Sequence, residues 1–168
     1  MKQHNENYDR HWGYVDWKGK VVLDCGADYG STAKFFLRNG AKQVIAVEYD
    51  EQYWDALVSL SKEADVIPVK KFLSTAHDFA DLFRDHTVDV AKIDCEGCEV
   101  GLLSLECERL RMIPEYAIEY HPGSGHSITV NHPYTKMKLK ELLIEKFESC
   151  GFDVTSQPMS TLYAVWIR

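Results

Sequence analysis

The sequence lacks the features of a membrane or secreted protein. Its 168 residues contain no run of roughly 18 apolar residues, the length that a membrane-spanning helix needs. The opening segment, MKQHNENYDRHWG, is polar and has no apolar core of the kind found in secretory signal peptides. We therefore expect a cytoplasmic protein with no membrane partner.

Positive charge is also scarce. The chain has 19 Lys and Arg against 26 Asp and Glu, which gives a net charge of −7. Its densest basic group is three alternating lysines, Lys136, Lys138 and Lys140. Nucleic-acid-binding domains usually carry a larger basic patch. The composition therefore argues against a nucleic-acid substrate and favours a small-molecule partner.

Cysteine usage predicts no disulfide framework. Without a secretory signal, the scattered cysteines are expected to be free thiols: Cys25, Cys95, Cys98, Cys107 and Cys150. Cys95 and Cys98 have C-x-x-C spacing, but no second pair completes four zinc ligands. We treat both as small packing residues, with redox or metal chemistry as the alternative.

What the sequence does contain is a regular alternation of apolar runs and helical patterns. Strands are predicted at residues 21–25, 44–48, 65–69, 88–94 and 115–121. A helix ending at Gly151 and a hairpin turning near Pro158 follow. This order predicts an α/β fold of one domain, residues 1–168, with an aromatic N-terminal arm at 1–18 and a substrate loop at 122–133.

The turn after the first strand, DCGADYGS, has the composition of a ligand-binding loop. Gly26 and Gly30 let the backbone turn sharply and approach a ligand at a helix N-terminus. The spacing differs from G-x-G-x-x-G, and Asp28 would repel a pyrophosphate. S-adenosylmethionine has no phosphate; its cationic methionine part suits Asp24, and Glu48 can accept the ribose hydroxyls. The alternative is a turn whose glycines serve geometry alone.

Two segments resemble known methyltransferases. VVLDCGADYG followed by VIAVEYD is similar to the first two motifs of class I S-adenosylmethionine-dependent methyltransferases, over about Lys18 to His121. AKIDCEGCE resembles the K-I-D-x-E-G-x-E signature of the FkbM family, and IEYH suits that family's fifth strand. The resemblance implies a Rossmann-like class I methyltransferase fold with a mostly parallel seven-stranded sheet, an antiparallel C-terminal hairpin and helices on both faces.

The same resemblance implies which residues bind the cofactor. It assigns the methionine part of S-adenosylmethionine to Asp24, Gly26, Ala27 and Gly30, the ribose to Glu48 with Tyr49, and the border of the methyl-transfer site to Asp94. Ser74 lies in VKKFLSTA, where an adenine-contacting loop is expected. S-adenosylhomocysteine would be the product.

Candidate catalytic residues follow the fourth and fifth strands. Methyl transfer to a hydroxyl needs aligned reactants and removal of the hydroxyl proton. The ordinary pKa of His121 suits the base, and Asp94, Glu96 or Glu119 would orient it or accept the proton themselves. Such residues also fit an oxygen-rich magnesium or manganese site, but sequence spacing fixes no geometry, and we predict no metal.

Structural interpretations of these residues remain open. His121 is equally well explained as a structural or exposed residue, and Glu99 as a residue that favours a helix N-terminus. Glu119 would pair with a lysine at the sheet edge. His126 and His132 are expected to be solvated.

The sequence thus predicts an enzyme of the methyltransferase class that methylates an oxygen of a small-molecule or sugar-like acceptor. DCEG follows the fourth strand in place of a D-P-P-Y or N-P-P-Y segment, which argues against amino-group chemistry. Because no substantial substrate-binding extension is present, a non-catalytic or partner-dependent cofactor-binding scaffold is the alternative. A protein or nucleic-acid methyltransferase and an NAD enzyme are further alternatives.

Overall fold

The computed structural model describes residues 7–125 and 128–167, which build one sheet flanked by helices. The strands are β1 Val21–Cys25, β2 Gln43–Glu48, β3 Val66–Lys70, β4 Val90–Ile93, β5 Glu115–Glu119, β6 Phe152–Gln157 and β7 Thr161–Trp166. The helices are α1 Tyr8–Trp12, α2 Ser31–Arg38, α3 Glu51–Leu60, α4 Ala76–Asp85, α5 Cys107–Leu110 and α6 Lys136–Ser149, with a 3₁₀ helix at Cys98–Ser104. That residues 1–168 form a single domain stays a prediction.

The strand order confirms the predicted fold class. Within the described ranges the sheet has seven strands in the order β3-β2-β1-β4-β5-β7-β6. Strands β1 to β5 run parallel, and β7 runs antiparallel between β5 and β6. The order reverses between β1 and β4, which is where ligands bind in open α/β sheets.

Helices cover both faces because the central strands are apolar on both sides. Val22 packs on one face with Trp12 of α1 and Phe36 of α2. Its neighbour Leu23 points to the other face, where Phe79 of α4 is part of the same cluster. Fully burying a side chain of this kind stabilises the fold by about 1.5–3 kcal/mol.

The segment before β1 is bound to the first of these faces by tryptophans. Trp12 and Trp17 are buried, and the Trp17 indole donates a hydrogen bond to the carbonyl of Trp12 at 3.1 Å. The Trp17 ring also packs on Phe36 in a tilted arrangement, with 4.2 Å between ring centroids. No helix in residues 7–125 or 128–167 is both long and apolar enough to cross a membrane.

The helical spacing of Val100, Leu103, Cys107 and Leu110 predicts one helix after β4, but the structure divides this segment. The chain forms the 3₁₀ helix Cys98–Ser104 and then the short α5. Glycine disfavours helices, and both Gly97 and Gly101 lie in this segment. A Cβ atom at Gly101 would lie 3.1 Å from the Phe79 ring, so a larger residue there would have to displace α4 slightly.

Two disulfides correct the prediction of free thiols. Cys95 pairs with Cys98, and Cys107 pairs with Cys150, with Cα atoms 5.4 Å and 5.1 Å apart. Both separations are in the range that a disulfide spans. Cys107 begins α5 and Cys150 follows α6, so the tertiary fold brings them together. Cys25 is a buried free thiol.

Candidate functional site

A groove of about 940 Å³ opens at the carboxyl ends of β1, β2 and β4. This volume is in the range of small-molecule and cofactor sites. The residues that line it include Gly26, Ala27, Asp28, Glu48, Tyr49, Phe72, Lys92, Asp94, Glu96, Glu119 and Thr129. The groove therefore brings together many of the residues that the sequence predicts for the site.

The β1–α2 turn is shaped by contact with neighbouring strands. Gly26 has φ +79°, and a Cβ atom there would lie 1.9 Å from the carbonyl oxygen of Asp94. The amides of Gly26 and Ala27 donate to the carbonyl of Val47 at 3.0 Å and 3.1 Å. The glycine is thus required by packing on β4, and both amides are already bonded to β2. Gly30 is the N-cap of α2.

Asp24 does not occupy the position that the sequence predicts for it. Its side chain is fully buried, and Oδ2 accepts a hydrogen bond from the Thr32 hydroxyl at 2.6 Å. Its Oδ1 lies 3.0 Å from Nζ of Lys92. Asp24 therefore anchors a buried lysine, and it is Asp28 that brings a carboxylate of this turn to the groove.

Lys92 is a site residue that the sequence analysis missed. Its ammonium is fully buried and donates to the carbonyls of Cys25 and Gly26 at 3.2 Å and 2.8 Å. Burial lowers the pKa of Lys92, but Asp24 and Asp94 raise it more, so the net shift is upward. The sequence does contain a signal for it: Lys92 lies inside the apolar strand segment AKI, and a lysine is rarely fully buried unless it is paired with a charge.

Glu48 is held rigidly at the end of β2. Its Oε1 accepts the amides of Tyr49 and Asp50 at 2.7 Å and 2.9 Å, and Oε2 accepts the amide of Asp28 at 3.1 Å. A carboxylate has about four acceptor positions, so Oε2 keeps one for a ligand hydroxyl.

Asp28 lies directly beside Glu48 and has a perturbed acidity. Burial raises the pKa of Asp28, Lys92 lowers it and Glu48 raises it further, to about 6. Its backbone φ of +45° is uncommon outside glycine, and the residue lines the groove. Strained positions of this kind cluster at ligand sites.

Two exposed aromatic rings form one wall of the groove. Tyr49 and Phe72 have their ring centroids 4.9 Å apart, nearly perpendicular to each other, and each is 45% exposed. Ser74, the predicted adenine contact, instead donates from its amide and hydroxyl to Asp78 at the start of α4. Phe72 therefore lines the groove, and Ser74 is not among its lining residues.

The other end of the groove is a cluster of carboxylates around His121. The imidazole Nε2 lies 3.6 Å from Asp94, 3.6 Å from Glu96 and 3.7 Å from Glu119. Burial lowers the pKa of His121, but a hydrogen bond to Glu99 and the charges of the carboxylates raise it to about 9. The predicted catalytic residues are therefore adjacent, and His121 is a buried residue rather than an exposed one.

Glu99 lies in the first turn of the 3₁₀ helix, as its structural interpretation predicts, and it also binds His121, whereas Glu119 differs from its structural interpretation. Glu99 is fully buried and accepts hydrogen bonds from the amide and Nδ1 of His121 at 2.5 Å and 3.0 Å. It also accepts from the Gly97 amide at 3.0 Å. Glu119 pairs with His11 of α1 at 2.7 Å rather than with a lysine.

The loop at 122–133 is attached to the turn after β4. The amides of Thr129 and Val130 both donate to the carbonyl of Glu96 at 2.7 Å and 3.1 Å. Gly97 has φ +106°, and a Cβ atom there would lie 2.2 Å from the Val130 carbonyl oxygen. His132 is half-buried rather than solvated, and burial lowers its pKa. His126 lies outside the described residues.

Comparison with known sequences gives two relatives from viruses. Uncharacterized protein 65 of Sulfolobus islandicus filamentous virus (isolate Iceland/Hveragerdi) is 34% identical over 98 residues, 56% of this chain and 57% of the relative. Uncharacterized protein 158B of Sulfolobus islandicus rod-shaped virus 1 is 32% identical over 110 residues, 64% of each chain. The chain thus spans less than two thirds of the curated relatives it matches. No family model matches the sequence.

Solved structures share the fold at low sequence identity. A Listeria monocytogenes uncharacterized protein matches with TM-score 0.67 and 13% identity, over 99% of this chain and 69% of that one. Aeropyrum pernix fibrillarin with natively bound S-adenosyl-L-methionine matches with TM-score 0.59 and 16% identity, over 90% and 69%. Burkholderia thailandensis 1,6-didemethyltoxoflavin-N1-methyltransferase with bound S-adenosylhomocysteine matches with TM-score 0.52 and 20% identity, over 90% and 72%. The chain therefore has the Rossmann-like fold of class I S-adenosylmethionine-dependent methyltransferases.

Proposed function

We propose that this protein is an S-adenosylmethionine-dependent methyltransferase that acts on an oxygen atom of a small, sugar-like acceptor. The observation that carries the proposal is one continuous groove with two chemically different ends. One end has Glu48, Asp28 and two aromatic rings, and the other has the carboxylates around His121. Such a groove suits a nucleoside-containing cofactor followed by a hydroxylated acceptor.

The residues at the first end fit the parts of the cofactor. Asp28 would attract the ammonium of the methionine part, and Glu48 keeps an acceptor position for a ribose hydroxyl. Tyr49 and Phe72 offer aromatic surface to the adenine. When bound, the cofactor supplies a methyl group on a sulfonium. The acidic wall also disfavours a pyrophosphate, which argues against an NAD enzyme.

The residues at the second end fit an acceptor hydroxyl. His121 is held through Nδ1 by Glu99, and its Nε2 faces carboxylates, so it acts as a positioning residue rather than as the predicted base. The Glu96 side chain is 41% exposed and lines the groove, which makes its carboxylate the best-placed proton acceptor. The net charge of −7 favours a small acceptor over a nucleic acid.

We also propose that the chain is FkbM-like. The support is that the charged residues of KIDCEGCE converge on one place. Lys92 and Asp94 face each other at 3.5 Å, while Glu96 and Glu99 contact the same histidine. The residues of this segment therefore form the acceptor end of the groove together with His121.

Calorimetry tests the cofactor part of the proposal. We expect S-adenosylmethionine and S-adenosylhomocysteine to bind one per chain and to compete, and NADH to leave that binding unchanged. Glu48→Ala should weaken binding, while Glu108→Ala, an exposed residue of α5, should not. Absence of binding at millimolar cofactor would overturn the proposal.

A panel of hydroxylated small molecules tests the acceptor part. Methylation of a hydroxyl, detected by mass spectrometry and reduced in Glu96→Gln, is the expected result. Cofactor binding without turnover across the panel would favour a partner-dependent scaffold. Methylation of protein or RNA alone would assign the activity to a macromolecular substrate instead.

A further inference from the structure

We propose that Asp94, Glu119 and His121 form a binding site for a divalent cation, with Mn²⁺ as the best-fitting ion. Each residue offers one ligand atom, and these atoms lie within 4.8 Å of one another. The three side chains come from the end of β4 and from β5 with the residues just after it. The sequence predicts no metal, because only the fold brings them together.

The distances fit an ion better than direct hydrogen bonds. Nε2 of His121 is 3.6 Å from Oδ1 of Asp94 and 3.7 Å from Oε1 of Glu119. Hydrogen bonds of this type are about 2.7–3.2 Å long. Two ligands of one ion, each at about 2.1–2.2 Å, lie on the order of 3–3.6 Å apart. The spacing therefore leaves room for an ion between them.

His121 is oriented as metal-binding histidines are. Its side chain is nine-tenths buried, with 10% exposed, and Nδ1 is fixed by the buried carboxylate of Glu99 at 3.0 Å. In the neutral ring, a carboxylate on Nδ1 keeps the proton on that nitrogen, so the lone pair of Nε2 binds a metal once the ion displaces the second proton. Within the described residues, Nε2 has no hydrogen-bond partner and points at the carboxylates.

The two carboxylates are held in the same manner. The second oxygen of Asp94 is 3.5 Å from the buried ammonium of Lys92. The second oxygen of Glu119 is 2.7 Å from Nε2 of His11. Each carboxylate is therefore anchored through one oxygen and presents the other to the site, an arrangement that lowers the cost of ordering the ligands.

The donor set selects the class of ion. Two carboxylates and one imidazole combine the ligands of magnesium and manganese with a nitrogen that manganese accepts more readily. Glu96 Oε2, 3.6 Å from Nε2 of His121, is placed to bind directly or through a water. Asp94, Glu96 and Glu119 line the groove, so open coordination positions face it.

The position of the site gives it a role that rests on the proposed function. An ion here would bind the acceptor hydroxyl oxygen and lower the pKa of its proton. Acceptors with a second oxygen next to the methylated hydroxyl would bind best, because both oxygens would reach the ion.

Titration of Mn²⁺ into the full chain, without cofactor or acceptor, tests the site. Free Mn²⁺ is followed by electron paramagnetic resonance. We expect one saturable site per chain, with affinity reduced at least tenfold in Asp94→Asn and in Glu119→Gln. Glu141→Gln, the same chemical change at an exposed position on α6, should leave the affinity unchanged. Circular dichroism checks that each variant is folded.

Wild-type protein gives a second measurement if a variant does not fold. Bound Mn²⁺ should broaden the side-chain resonances of His121 more strongly than those of His77, which is exposed on α4. No saturable binding at millimolar Mn²⁺, equal affinity in all variants, or sharp His121 signals would each overturn the site. Cofactor calorimetry is done without metal, so the two proposals fail separately.

Discussion

Glu99 accepts two hydrogen bonds from a single partner, His121: one from its backbone amide at 2.5 Å and one from its ring Nδ1 at 3.0 Å. The carboxylate is fully buried and lies between the turn after β4 and the end of β5. It therefore fixes both the backbone and the ring of the histidine at the acceptor end of the groove.

Replacing this carboxylate by an amide should loosen the site. In Glu99→Gln, the amide nitrogen faces the N–H of either Gly97 or His121, so a buried donor loses its partner. We expect a loss of about 1–3 kcal/mol in the free energy of unfolding, measured by urea denaturation. Mn²⁺ affinity should fall about 10- to 100-fold. Glu108→Gln, an exposed neighbour in α5, is the control, and equal stability of the two variants would refute the role.

Lys92 and Asp24 should behave as a coupled pair. Lys92→Met leaves the Asp24 carboxylate buried without its cation, and breaking a buried ion pair costs about 3–5 kcal/mol. Adding Asp24→Asn removes the unpaired charge, so the double variant should regain a large part of this loss. Urea denaturation of the four proteins gives the coupling energy, and additive effects would show that the two residues act independently.

The strands were predictable because their signals are local. The apolar run of β1 ends at a carboxylate and a glycine turn, and its bounds, Val21 to Cys25, agree with the structure. The C-terminal hairpin was equally visible as two β-preferring runs around a turn. Short-range pattern and turn chemistry were sufficient for these elements.

The buried charges and the disulfides were not predictable in the same way. The apolar strand around Lys92 signals its burial, but the sequence does not identify Asp24 as its partner, nor His121 as the partner of Glu99, because these residues are distant along the chain. Cys107 and Cys150 are separated by 43 residues. A single sequence gives no distance between such positions, so these relationships required the fold.

The Cys107–Cys150 disulfide should account for most of the redox sensitivity of stability. It joins residues separated by 43 positions. For a loop of this size, the chain-entropy model gives a stabilisation on the order of 4 kcal/mol, and disulfides typically stabilise proteins by about 2–4 kcal/mol. Cys107→Ser/Cys150→Ser should therefore melt well below wild type, and dithiothreitol should have little further effect. The Cys95–Cys98 disulfide joins residues only 3 apart, so Cys95→Ser/Cys98→Ser is the matched control. A larger effect in the control would contradict the prediction.

Asp28 should make cofactor affinity depend on pH. Its pKa is raised from 3.8 to about 6, so the carboxylate is largely protonated at pH 5 and ionised at pH 7.5. Binding of the cationic cofactor should be stronger at pH 7.5, and Asp28→Asn should bind the cofactor at least about tenfold more weakly there, with a flatter pH profile.

The same carboxyl group of Asp28 should make stability depend on pH. The folded protein holds its proton more tightly than the unfolded chain, so its contribution to stability is lost as pH rises from about 4 to 6. Asp28→Asn should therefore be more stable than wild type at pH 7.5 but not at pH 4. Calorimetry and urea denaturation at each pH measure both effects, with Asp55→Asn on the exposed face of α3 as control. A wild-type affinity that is constant from pH 5 to 7.5 would remove Asp28 from the cofactor site.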